Sequence, residues 1–351
     1  MRYTECYTME NNNYNRRIPY ELSDYVLGKY FRETAERQGW FNSPSIIASV
    51  SGGGDSIALL WLCSKFYPGR LMAVHINHGI RGEESDGDER FTANFAASLG
   101  IGIITVRINV PGDRERGESL EAAARRLRLY HICRVTEALG IDTVLLGHNR
   151  DDLAETVLFN ILRGTGIRGS VGMTECSERE GVKFYRPLLG LRRDFLRDIL
   201  RVRGISWRED STNEDNTYTR NYIRRRLLPL IGHKINASAI EHLASFGEDM
   251  RRIRDREDKI SLDIMNDCII TNTPLTLNRK KLRALNEDDT ALVIREAGRR
   301  LGLRTLSRNR CIELVRLIHD GKGFIFQWCG NVTVKGIRGE IIIHDITDNN
   351  K

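Results

Sequence analysis

The chain lacks what would direct it to a membrane or an oxidising compartment. Its longest clean apolar run, Ile57 to Cys63, is far too short to cross a bilayer. The polar start MRYTECYTMENNNYNRR carries no apolar signal-peptide core. The seven cysteines, Cys6, Cys63, Cys133, Cys176, Cys268, Cys311 and Cys329, are odd in number, scattered and never paired as C-x-x-C. That argues against disulfides, a zinc ribbon or a cysteine-ligated cluster. No internal repeat is visible. These absences predict a soluble cytoplasmic protein with no membrane partner; they leave its oligomeric state open.

What is present suits two packed domains. The 351 residues exceed a usual single core, and 40% of them are apolar. The net charge is +7, and Arg186 to Ile235 alone holds twelve Arg or Lys against six Asp or Glu, so the rest of the chain is close to neutral. A local excess of that kind suits a polyanion such as nucleic acid, although a solvated surface is the usual meaning of one basic stretch. The expected organisation is a polar extension over residues 1–20, a catalytic domain over 21–225 and a mostly helical domain with a short β end over 226–351.

The chain is organised around IIASVSGGGDSIALLWLCSKFY, Ile46 to Tyr67. A β-branched run ends in Ser51, Gly52, Gly53, Gly54, Asp55 and Ser56 and then becomes a helix. Such a turn exposes amides at the positive end of a helix, with no β-carbons to hold a phosphate away. Glycines alone could mean only a flexible turn. Walker-type loops place a lysine here, whereas this loop has Asp55, and a carboxylate beside phosphates implies a bridging Mg²⁺.

Further strands are expected at Leu71–Ile76, Ile101–Val110 and Asp142–Gly147, separated by helices, with Ser85 capping one and Ser119–Leu139 forming another. Alternation of this kind predicts an α/β fold with a doubly wound, mainly parallel sheet, whose ligands collect beyond the strand ends. Those ends carry SGGGDS, HINHGIR and GHNRDD. After about Leu227 the alternation stops, and helices at Ala239–Ile270, Asp289–Leu301 and Ser307–His319 precede strands within Phe324–His344.

Each candidate residue has a plain structural alternative. His75 and His78 fall on opposite strand faces, which disfavours a shared metal, so HINHGIR reads as lining a nucleotide pocket or as holding one buried histidine. Arg125 and Arg128 belong either to a surface salt-bridge ladder with Glu121 or to a site that neutralises phosphate. Asp151, Asp152 and Glu155 open a helix, where acids favour the dipole, but beside His148 they could also bind an ammonium group and take its proton. Gly164, Gly166 and Gly169 follow a helix rather than a strand, which rejects a dinucleotide fingerprint. Asp210, Ser211 and Asn213 are turn formers. Arg220, Arg224, Arg225 and Arg226, interleaved with Trp207, Tyr218 and Tyr222, can hold RNA phosphates while aromatics stack on bases; packing is the first reading for Trp207.

SGGGDS resembles the SGGxDS loop of the N-type ATP pyrophosphatases. Together with HINHGIR, LEAAARRLRLY, GHNRDDLAET, LRGTGIRG, RPLL and WREDSTNEDNTYTRNYIRRRLLP, in that order, it resembles the tRNA(Ile)-lysidine synthases across roughly Ile46 to Leu230. Asn77 stands where many members have aspartate, and Leu129 stands at the usual tyrosine, with Tyr130 one residue later. The resemblance implies a PP-loop ATPase sheet and ATP-dependent attachment of free L-lysine to the wobble cytidine of the CAU-anticodon isoleucine tRNA. ATP would be held by Ser51 to Ser56 and His78, with Mg²⁺ at Asp55. Asp55, Arg125, Arg128, His148, Asp151, Asp152 and Glu155 would carry the chemistry. A tRNA thiolase and a non-catalytic RNA-binding protein are the alternatives.

Overall fold

The computed structural model describes residues 23–80, 82–209 and 219–345. The polar extension, Arg81 of HINHGIR, the turn formers Asp210, Ser211 and Asn213, and Tyr218 lie outside the described residues. Two compact units meet in sequence between Glu248 and Asp249. The expected boundary after residue 225 falls too early. Ile240, Leu243 and Ala244 pack with Leu153, Ala154 and Val157, which holds that stretch in the first unit.

The first unit follows the order α1 (Asp24–Gln38), β1 (Ser45–Ser49), α2 (Gly54–Phe66), β2 (Arg70–Asn77), α3 (Glu83–Ser98), β3 (Gly102–Arg107), α4 (Leu120–Leu139), β4 (Thr143–Leu146) and α5 (Arg150–Leu162). A hairpin, β5 (Cys176–Arg179) and β6 (Val182–Tyr185), then leads into α6 (Arg193–Val202). The last pieces are α7 (Thr219–Tyr222), a π-helical turn at Ile223–Leu227 and α8 (Leu228–Lys234). The sheet order is β3-β2-β1-β4-β6-β5, parallel except for the β5–β6 hairpin. Ala48 of β1 pairs with Ala73 on one side and Leu145 on the other. Strand order therefore reverses between β1 and β4, the switch point where an open α/β sheet leaves a crevice.

Both sheet faces are covered. Leu59, Leu62, Leu196 and Ile199 belong to the core on one face, while Leu127 and Ile132 of α4 pack on the other with Ile47 and Val74. The helix α2 is buried all round, from Ser56 to Cys63, rather than on one apolar side, because α1 and α6 enclose it. Ser85 does not cap α3: the cap position is Gly82, and Ser85 lies buried inside the helix. Ser119 does cap α4, accepting from the Ala122 amide.

The second unit contains a five-stranded sheet in the order β7-β8-β11-β10-β9. Following α9 (Ala239–Cys268), these are β7 (Ile269–Asn272), β8 (Leu275–Asn278), β9 (Phe324–Cys329), β10 (Val332–Ile337) and β11 (Glu340–Asp345). Helices α10 (Arg279–Ala284), α11 (Glu287–Arg300) and α12 (Arg308–Asp320) lie between β8 and β9 in sequence. The β end thus recruits two strands from before those helices, β7 and β8, which sequence patterning did not mark. No helix among the described residues is long and apolar enough to cross a membrane.

Candidate active site

Beyond β1 the chain turns through Gly52 at φ 91°, a left-handed value that strains any side chain. A β-carbon there would also lie 3.2 Å from Thr92 Oγ1. Gly53 precedes α2 without a side-chain cap, so the helix start presents amides rather than a capping oxygen. Ser56 braces the turn, donating from Oγ to the Gly53 carbonyl (2.9 Å) and accepting from the Ser51 amide (3.1 Å). Ser51 Oγ sits 3.2 Å from Ser56 Oγ. From the far side, the Arg208 amide donates to the Gly52 carbonyl (3.0 Å), and Arg208 Nε donates to Asp88 (2.9 Å). Trp207 packs against the core beside Gly54. The outcome is a braced anion cradle.

Asp55 leaves this cradle towards an acidic cluster. Gly147, at the end of β4, makes the approach possible: a β-carbon there would come within 3.1 Å of the Asp55 carbonyl and the Ser56 backbone. The capping box of α5 then fixes Asp152, whose Oδ2 accepts from the Asn149 amide (3.1 Å) while Asn149 Oδ1 accepts from the Asp152 amide (3.0 Å). Arg193 unites the acids. Its Nη2 donates to Asp152 Oδ1 (2.7 Å) and Glu155 Oε1 (3.0 Å), and its Nε lies 3.6 Å from Asp55 Oδ2. Asp151 faces a different task, accepting from the Arg193 amide (2.9 Å) and Arg192 Nε (3.1 Å), so it anchors the start of α6.

Environment separates these acids. Burial raises Asp55 to about 6 despite Arg193, and its Oδ1 is buried without a hydrogen-bond partner. Burial also raises Glu155, with Asp152 adding to it, whereas at Asp152 the cost of burial is outweighed by the guanidinium groups of Arg193 and Arg224, which hold it below the usual range. Burial lowers His148 to about 3, so its imidazole is neutral near pH 7.

Next to the acids lies a basic cavity of about 200 Å³. Arg125 and Arg128 of α4, Arg186 after β6, and His148 after β4 line it. The α4 helix runs unbroken through the position where the family has tyrosine. Leu129 packs toward the core and Tyr130 is 44% exposed, so Arg128 keeps its place in the wall. Arg128 is lowered to about 10, by burial first and then by the neighbouring arginines.

The histidines of HINHGIR separate as their spacing requires. His75 is buried, with Nδ1 2.9 Å from the Val50 carbonyl, and His78 lies half-buried beyond β2. Asn77 donates to both Asp86 (3.1 Å) and Glu89 (2.7 Å), a place where the family's aspartate would face two acids. Of the four arginines expected to meet RNA, Arg225 and Arg226 are exposed. Arg224 instead lies 3.4 Å from Glu155, and Arg220 lies 4.0 Å from it while donating to Thr156 Oγ1 (3.1 Å).

Sequence reasoning missed Arg193 and the cavity role of Arg186. Arg193 is one of many arginines in a basic run, and only the fold brings it to the acids. Arg186 was visible inside RPLL but had no chemistry attached to it there.

Comparison with known proteins follows the same outline. Residues 26–231 match the PP-loop domain family. The tRNA(Ile)-lysidine synthase of Symbiobacterium thermophilum is 36% identical over 243 residues, 68% of this chain and 49% of that protein. The enzyme of that name from Thermus thermophilus is 36% identical over 69% of this chain and 48% of its own length. For Polaromonas naphthalenivorans the values are 34%, 70% and 73%. The chain thus spans about half the length of the first two relatives. The structure of the U34-tRNA thiolase NcsA from Methanococcus maripaludis, with its [4Fe-4S] cluster, aligns with TM-score 0.53 at 20% identity, covering 64% of this chain and 78% of that one, a likeness of fold.

Proposed function

This chain belongs to the PP-loop family, in its tRNA(Ile)-lysidine synthase branch, and from that premise we propose that it ligates free L-lysine to the wobble cytidine of a CAU-anticodon isoleucine tRNA at the expense of ATP. The observation that carries the reading is the meeting of an anion cradle with an acid cluster: Asp55 of the glycine turn and the α5 pair Asp152 and Glu155 share one guanidinium, Arg193.

ATP is held by its β- and γ-phosphates on the amides at the start of α2, with the α-phosphate toward the crevice. The cytidine 2-keto oxygen attacks that phosphorus, and pyrophosphate departs. The orphaned Asp55 Oδ1 fits a magnesium ion and would hold it, since that ion usually takes one or two carboxylates plus substrate oxygens. Bound there, Mg²⁺ would neutralise charge on the departing pyrophosphate.

Lysine's side-chain amine next displaces AMP from the activated base, and it must lose a proton to do so. Ionised Asp152 attracts the ammonium group, and Glu155, whose proton affinity is raised, receives the proton. His148 stays neutral and contributes hydrogen bonding rather than charge. The anticodon base is already single-stranded, so presenting it costs little unstacking.

The test is incubation with ATP, Mg²⁺, labelled lysine and CAU-anticodon tRNA, which should label the RNA and release AMP and pyrophosphate in equal amounts. Sulfur incorporation without lysine would assign the chain to thiolation. Binding without any AMP release would leave an RNA-binding protein.

A further inference from the structure

We propose that the cavity walled by Arg125, Arg128 and Arg186 receives the carboxylate of the free amino acid, separately from the acids that take its amine. The inference rests on the ligase reading above and adds the subsite that distinguishes an amino acid from a simple amine.

Three observations carry it. First, the cavity collects far more cation than anion. No ion pair joins Arg125, Arg128 or Arg186 to a carboxylate among the described residues; the nearest acid on the lining is Glu178, which is exposed. Arg192, Arg193, Arg208 and Arg224, by contrast, each have an acidic partner. Arg125 is exposed, but Arg186 and the Nε of Arg128 are buried, and unpaired guanidinium groups drawn out of water are costly unless something anionic joins them.

Second, the wall holds buried polar atoms with no partner. Arg186 is 7% exposed; its Nη1 donates to the Thr174 carbonyl (2.9 Å) and its Nη2 to Ser177 Oγ (3.0 Å). Its Nε is unsatisfied, as are Arg128 Nε and His148 Nδ1, and all three residues line the same cavity. Native structures leave few such atoms. A carboxylate supplies two oxygens with about four lone-pair sites and suits planar guanidinium donors.

Third, place and size select the ligand. At about 200 Å³ the cavity is smaller than the roughly 300–1,000 Å³ of pockets that enclose drug-sized ligands, so it suits the end of a molecule rather than a nucleotide. Leu146 and Phe184 add apolar walls. His148 lines the cavity and directly precedes Asn149, the cap that fixes Asp152, so the cavity borders the acid cluster. Phosphate has its own cradle at α2. Of lysine's three charged groups, the two ammonium groups suit the acids, and the carboxylate is left for the arginines.

The test compares L-lysine with L-lysinamide, whose carboxylate is replaced by a neutral amide, in the full protein with ATP, Mg²⁺ and CAU-anticodon tRNA. The expected result is kcat/KM about 100-fold higher for L-lysine, carried mainly by KM, because the amide leaves buried donors facing the wrong partner. In Arg128→Ala that preference should fall below about 5-fold, and Arg128→Lys, which keeps charge without the planar fork, should restore part of it. Equal use of the two amines by the unaltered protein would overturn the subsite while leaving the ligase reading intact. So would an Arg128→Ala variant that loses both in the same proportion. Attachment of neither amine would remove the ligase reading and this inference together. The comparison in the unaltered protein needs no variant to fold.

Discussion

At Asp55 one carboxyl joins a phosphate cradle to an acid cluster, and its environment sets a measurable pH dependence. The folded protein holds the Asp55 proton up to about pH 6, against an ordinary value of 3.8, with burial the main cause. The folded state therefore binds this proton more tightly than the unfolded chain does. The stabilising contribution is complete below about pH 3.8 and gone above about pH 6. Asp55→Asn should therefore stabilise the nucleotide-free protein at pH 8 by on the order of 2 kcal/mol and leave it unchanged near pH 4. The same variant should abolish pyrophosphate release, because it removes the carboxylate that would hold Mg²⁺ beside the phosphates. Melting curves at the two pH values check the first part, and a less stable variant at pH 8 would sink it. Asp152 and Glu155 could be read together in the sequence because helical spacing gathers them, and Asp55 could be singled out by its glycine turn, though only the fold brings it to the other two. Arg193 could not be singled out, because a cation's partner across an α/β crevice depends on the crossover connections and on no local pattern.

At the scale of elements, the arginine-rich helix divides its charges between two tasks. Arg220 and Arg224 are four apart and both reach Glu155, while Arg225 and Arg226 are exposed. The π-helical turn at Ile223–Leu227 lies in this stretch, and such turns often occur at functional sites. A charge count could not see this division, since it treats every arginine as facing solvent. Arg226→Ala should lower the salt dependence of RNA binding by about one unit of slope, as expected when one phosphate contact is lost. Arg224→Ala should leave that slope unchanged and instead cut lysine attachment about 10-fold or more, because it alters the charge around Glu155. Equal slopes for both variants, each reduced, would return Arg224 to the RNA surface. The parallel strands were readable from their continuous apolar runs. The hairpin β5–β6 was not, because CSER and VKFY are only four residues each and CSER carries three polar residues in a row.

For the molecule as a whole, much of the basic charge over Arg186–Ile235 is already taken up by acids of this chain. Arg192 pairs with Asp151, Arg193 with the acid cluster, Arg203 with Asp24, and Arg208 with Asp88. Net charge thus overstates the surface available to a polyanion, and the second unit must be judged on its own core. There Leu277 of β8 and Ile341 of β11 are fully buried and paired in register, though far apart in sequence. The sequence shows β10 and β11 as a hairpin around Arg338-Gly339, but nothing local joins them to LTLN, which is why β8 went unmarked. Gly298 lets α11 approach the sheet, since a β-carbon there would lie 2.5 Å from the Trp328 ring. The core of this unit draws its buried residues from Met265 to Ile343, and the cores of the first unit share none of them. Leu277→Ala should therefore cost about 2–5 kcal/mol in the second unit's unfolding. Followed by calorimetry, the full chain should show one transition shifted down and another, raised by added ATP and Mg²⁺, left in place. A single transition that moves as one with Leu277→Ala would mean that the two cores stand or fall together.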